Sequence, residues 1–156
     1  MKFAKFSFCL LMIAIIIASC GKEYSSEQMR PVTGTWQFSK DGINYSGYLD
    51  DVYSTKGIGT NVTYISGNSN NGTQHFQIKL FGNSFPVGDY YSSEFQSTFS
   101  YTLPSKTIYS ADESSDDFVV NLTATDSSHI QGTFSGTVSD SSYNSVQLTN
   151  GIFSTF

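Results

Sequence analysis

Residues 34 to 156 predict a single all-β domain, an antiparallel sandwich or squat barrel of about eight strands. Three observations carry this reading. From Gly34 onward apolar and polar residues alternate with a period of two, in runs broken by Gly, Asn, Asp and Ser. Asp41-Gly42 is a two-residue turn of the primed hairpin type, whose twist matches that of the strands it joins. No window beyond the N-terminal apolar run shows a helical apolar stripe.

The elements follow in order. A turn at Asp41-Gly42 sets Lys40 opposite Ile43, Phe38 opposite Tyr45 and Trp36 opposite Gly47, leaving Gln37, Ser39, Asn44, Ser46 and Tyr48 on the other face. An indole over Gly47 is physically reasonable, because the ring covers a residue without a side chain. Asn61 to Ser66 is a further strand with weaker alternation. Phe76, Ile78 and Leu80 alternate with His75, Gln77 and Lys79; Phe99, Tyr101 and Leu103 with Ser100 and Thr102; Phe118, Val120 and Leu122 with Val119, Asn121 and Thr123. Each of these strands reads as one face buried and one face wet. Ile130, Phe134 and Val138 share a face with Gly132 and Gly136, glycines that let a strand bend. Val146 and Leu148 open a final strand ending near Ile152 and Phe153. Asn68 to Gly72 is a loop, and Ala111 to Asp117 a longer acidic one.

The N-terminus has a different character. Lys2 and Lys5 precede an apolar run from Phe6 to Ala18, interrupted only by Ser7 and too short to span a bilayer. Ile17-Ala18-Ser19-Cys20 closes it and resembles the lipobox of bacterial lipoproteins. That resemblance implies a signal peptide over residues 1–19, removed before Cys20, and acyl chains on Cys20 as the link to the membrane. Two or three chains, at about 0.8 kcal/mol per buried methylene, make such an attachment effectively permanent. Residues 20–33, with Ser, Glu, Lys, Gln and Pro31 and no apolar periodicity, read as a lipidated tether. A flexible coil of that length reaches on the order of 20 Å. Gly21, rather than the Asp that favours inner-membrane retention in enterobacterial lipoproteins, implies the outer membrane. Lys22-Glu23 resembles the charged signal that sends Bacteroidota lipoproteins to the cell surface.

Composition bounds the partners. The chain carries 8 Lys and Arg against 13 Asp and Glu, a formal charge of −5 that becomes more negative once Lys2 and Lys5 leave with the signal. That sign argues against nucleic acid and against charge-driven binding to anionic lipid. Of the 2 cysteines, Cys9 lies in the signal and Cys20 is the acylation site, so no disulfide can staple the domain. Packing must supply the stability, and aromatic residues, 15% of the chain, are its obvious source.

Chemistry-bearing motifs are sparse. Asp126-Ser127-Ser128-His129 holds the residue types of a hydrolase triad, but one tight turn cannot bring them together from separate elements, and a turn between strands is the better reading. Asp112-Glu113-Ser114-Ser115-Asp116-Asp117 lacks the spacing and the glycine of an EF-hand, so a solvated acidic loop is expected, with no metal and no cofactor. Tyr48 on the polar face and Tyr90-Tyr91 after Pro86-Val87-Gly88-Asp89 are the aromatics expected at the surface, where flat rings could stack on a glycan. Ile130 to Thr137, followed by Val146 to Phe153 with Thr149-Asn150-Gly151-Ile152-Phe153, looks like the closing hairpin of a family of small Bacteroidota envelope lipoproteins of uncharacterised function. The resemblance implies fold and envelope location and carries no activity. The expected function is a non-enzymatic, membrane-anchored envelope lipoprotein whose β domain binds a glycan or an envelope protein or serves structurally. A lipocalin-like carrier of a small apolar molecule is the alternative, and an enzyme comes third.

Overall fold

Period-two alternation does fold as antiparallel sheet. The computed structural model describes residues 33–56, 59–126 and 129–156, and among these no helix occurs. Ten strands follow one another: β1 (Gly34–Lys40), β2 (Ile43–Lys56), β3 (Asn61–Ser69), β4 (His75–Phe81), β5 (Gly88–Tyr91), β6 (Ser97–Thr102), β7 (Ile108–Ala111), β8 (Val119–Thr125), β9 (Ile130–Ser139) and β10 (Ser145–Thr155). The expected signal, Cys20 and the expected tether up to residue 32 lie outside the described residues, and Thr33, the last expected tether residue, is hydrogen-bonded to the barrel through Leu49.

Eight of the strands close into a barrel in the order β1-β2-β3-β4-β6-β7-β9-β10, with β10 returning to β1. The β7–β9 join is thin, a single pairing of Ser110 with Ser139. Along the rest of that edge β9 pairs with β8, and β8 in turn with β5. The eight strands legible in sequence are therefore not the eight that close the barrel, since β8 lies outside the ring and the four-residue β7 lies within it.

The β1–β2 register is the predicted one, with Trp36 opposite Gly47, Phe38 opposite Tyr45 and Lys40 opposite Ile43. Asp41 and Gly42 both take positive φ, 52° and 76°, as a primed turn requires. Ile43 has inward parity but is exposed, because it sits at the barrel's rim. Past Tyr48 the strand continues further than its alternation suggested. Leu49 keeps the inward parity of Tyr45 and Gly47 and is buried, and a bulge between Leu49 and Asp51 then shifts the parity so that Val52 packs against the core.

Rings fill the barrel interior. Trp36 stacks on Phe76 with centroids 5.0 Å apart and planes 8° from parallel; Phe38 meets Tyr101 edge-on at 4.9 Å and Phe99 meets Phe134 at 5.4 Å. Trp36, Phe38, Phe76, Phe99, Phe118, Phe134 and Phe153 are all buried. Glycines make room for them: a Cβ on Gly47 would lie 2.7 Å from the Trp36 ring, and one on Gly132 would lie 2.6 Å from Phe153. Burial pushes the Tyr101 phenol up from its ordinary pKa, and its hydroxyl donates to the Gln74 side chain. Among the described residues these rings pack against one another through the middle of the barrel.

Candidate functional site

Packing stops short of one end of the barrel. There, a cavity of about 520 Å³ opens between the end of β2, the start of β3, the β4–β5 loop, the β8–β9 turn and the end of β10. Its volume falls within the range of small-molecule sites, and barrel mouths are a common place for them.

Strand parity dictates the lining. Val52, Ser54 and Thr63 continue the inward faces of β2 and β3 beyond the aromatic layer, where the residues become small and hydroxylated. Ser54 Oγ and Thr63 Oγ1 are 2.7 Å apart and satisfy each other. On the opposite wall the Ile130 amide donates to Thr155 Oγ1 at 2.8 Å. Phe85, Ile130 and Val52 are half-buried and pack against the core, giving the cavity apolar walls. Thr33, Asp126, His129 and Phe156 complete the rim. Hydroxyls beside aliphatic and aromatic surface suit a ligand that is part polar and part apolar.

The Asp126–His129 segment forms the expected turn. Asp126 donates its amide to the His129 carbonyl at 2.9 Å, and the His129 amide donates to Asp126 Oδ1 at 2.8 Å. The carboxylate caps its own turn, and His129 Nε2 is 3.4 Å from the hydroxyl of Ser154 on the neighbouring strand. The sequence did not disclose that this turn forms part of the mouth. Ser127 and Ser128 lie outside the described residues.

Of the three tyrosines expected at the surface, one must be corrected. Tyr90 is buried, only 8% exposed, beside Phe85, and its hydroxyl donates to the Pro86 carbonyl at 2.7 Å. Consecutive residues of a strand point to opposite faces, so Tyr90 and Tyr91 of β5 cannot both face water. Tyr91 and Tyr48 are exposed, at 39% and 47%, on strands that do not pair with each other. Outward Tyr53 of β2 and Tyr64 of β3 form a parallel ring pair at 4.8 Å, with Lys79 Nζ 5.6 Å from the Tyr64 ring.

The acidic loop is occupied with its own backbone. Asp112 accepts from the Ser114 hydroxyl and amide, and these bonds hold its carboxyl below the usual range. Asp117 accepts from the Thr137 amide and hydroxyl across the loop. Asp140 accepts from Asn144 and Ser142, with the same downward effect, led by the Asn144 side chain. Among the described residues no cluster of His, Cys, Asp and Glu side chains is arranged to hold a metal ion, and no helix is long and apolar enough to cross a membrane.

In comparison with known proteins, the chain matches no family model, no curated protein and no solved structure.

Proposed function

We propose that this is a non-enzymatic, lipid-anchored lipoprotein of the outer membrane whose barrel binds a small amphipathic ligand at its mouth. The observation that carries the binding half is the 520 Å³ mouth cavity, lined by hydroxyls and apolar side chains above a solid aromatic core. The lipobox ending at Cys20, and the likeness of the C-terminal hairpin to small Bacteroidota lipoproteins, support the anchored half. Relative to the carrier alternative, the ring-packed interior supports a shallow rim site over a deep calyx. Among the described residues the mouth hydroxyls pair with one another or with the backbone, as Ser54 does with Thr63 and Thr155 with Ile130, an arrangement suited to holding a ligand.

Calorimetric titration of the chain lacking residues 1–20 with a short-chain monoacylglycerol, below its aggregation threshold, should show saturable one-to-one binding. Ser54→Trp fills the mouth from an exposed position and should abolish that binding with circular dichroism unchanged. Binding that survives Ser54→Trp sinks the mouth as the site.

A second reading, a glycan platform on the outer face, rests on the parallel Tyr53 and Tyr64 rings, on the same sheet as exposed Tyr48. It keeps Tyr91 as a contact and drops Tyr90, whose ring is in the core. On this reading, changing Tyr48, Tyr53 and Tyr91 to Ala should abolish retention on immobilised envelope polysaccharide while folding stays intact. Undiminished retention, or none by the unaltered protein, removes it.

A further inference from the structure

We infer that the mouth is also a bilayer-docking surface, held against the membrane that carries the anchor, and that its ligand is drawn from that bilayer. This rests on the lipoprotein reading above. The chain enters the barrel at the mouth. Thr33 lines the cavity, its amide and hydroxyl donate to the Leu49 carbonyl at 2.8 and 3.1 Å, and its own carbonyl accepts from the Phe156 amide at 2.8 Å. The start and the end of the domain are thus pinned together at the rim.

Tether length then decides the orientation. A coil running from Cys20 to residue 33 reaches on the order of 20 Å. The eleven residues of β10, tilted as barrel strands are, give the barrel a height of about 30 Å. The end carrying Thr33 stays within reach of the bilayer, whereas bringing the opposite end down would require a tether stretched along the whole barrel.

Surface chemistry points the same way. Both ends expose apolar side chains, so exposure alone does not choose between them. At the mouth Tyr53 and Phe156 line the cavity, Phe156 being 77% exposed, and Val87, 61% exposed, follows Phe85 in the same loop. Asp126 is the one carboxylate among the cavity's lining residues. At the far end Ile43 follows the turn that holds Asp41, Tyr143 follows Asp140 in the β9–β10 connection, and Asp112, Asp116 and Asp117 line a hollow together with Asp140 and Tyr143. Those carboxylates disfavour contact with an anionic leaflet. Exposed Phe156 and Val87 offer apolar surface to the headgroup–acyl boundary, and Tyr53 is of the type that settles at headgroup depth.

The test uses the full lipidated protein in vesicles of phosphatidylcholine with phosphatidylglycerol, an anionic surface, with a fluorophore on Thr125→Cys at the mouth or on Ser142→Cys at the far turn. Acylated Cys20 offers no competing thiol. Doxyl-labelled lipid should quench the Thr125 probe several-fold more than the Ser142 probe, and Val87→Ser with Phe156→Ser should remove most of that difference. Equal quenching of the two probes, or stronger quenching at Ser142, in protein that floats with the vesicles overturns the docking inference alone. Protein that does not float with the vesicles overturns the lipoprotein reading, and the docking with it. Monoacylglycerol binding by the chain lacking residues 1–20 reports the mouth site independently of both.

Discussion

Trp36→Ala is expected to cost about 3–5 kcal/mol of folding stability, the range for truncating a large buried aromatic that leaves a cavity behind. Trp36 is buried at the centre of the ring stack, with Phe38, Phe76 and Tyr101 all within 5.8 Å between centroids. Gly47, opposite the indole edge, has no side chain with which to fill the void. Urea titration gives the number, with unchanged slope showing that the transition still exposes the same surface. Trp36→Phe is the informative partner. The indole Nε1 is buried and has no hydrogen-bond partner among the described residues, an omission worth about 1–3 kcal/mol. Phenylalanine removes that orphan and keeps a ring in the stack, so it should cost clearly less than alanine. A change within about 0.5 kcal/mol for Trp36→Ala would place the residue outside the core and contradict this account of the fold.

Cys20→Ser is expected to abolish membrane attachment. On the lipoprotein reading this one thiol carries the acyl anchor, and a change from several acyl chains to none would remove more than about 10 kcal/mol of membrane affinity at about 0.8 kcal/mol per methylene. Fractionation should move the protein from the membrane pellet to the supernatant or leave it as unprocessed precursor. Mass spectrometry of the unaltered protein should show an acylated N-terminal cysteine. A Cys20→Ser protein that is processed and pelleted like its parent contradicts the anchor.

Local chemistry was legible in the sequence wherever neighbouring residues decide the outcome. Asp41-Gly42 specified a turn, the turn specified a register, and the register put Trp36 over Gly47, as observed. Long alternating runs such as Phe76 to Leu80 revealed their buried face directly. Four residues are too few to show a period, which is why β5 and β7 were not read as strands. The Leu49–Asp51 bulge broke the alternation of β2, so Val52 and Ser54 escaped notice although they line the mouth. Tyr90 shows the consequence of so short a strand: with no readable parity after Pro-Val-Gly-Asp, nothing local tells that in β5 Tyr90 takes the inward face and Tyr91 the outward one. The mouth itself could not be read locally, because its walls come from β2, β3, β8–β9 and β10 and converge only once distant strands have paired. The signal for it was indirect, a change at the ends of inward faces from Phe, Ile and Leu to Ser and Thr.

The central claim is that the mouth is the binding site, and amide chemical-shift mapping of the isotopically labelled protein tests it most directly. Adding the monoacylglycerol should move a contiguous set of resonances at Val52 to Ser54, Thr63, Thr125, Asp126, His129, Ile130, Thr155 and Phe156, with little change at Tyr48, Tyr91 or the turn around Ser142. Shifts centred on the outer face at Tyr48 or Tyr91, or a spectrum that does not change at saturating ligand, would contradict it.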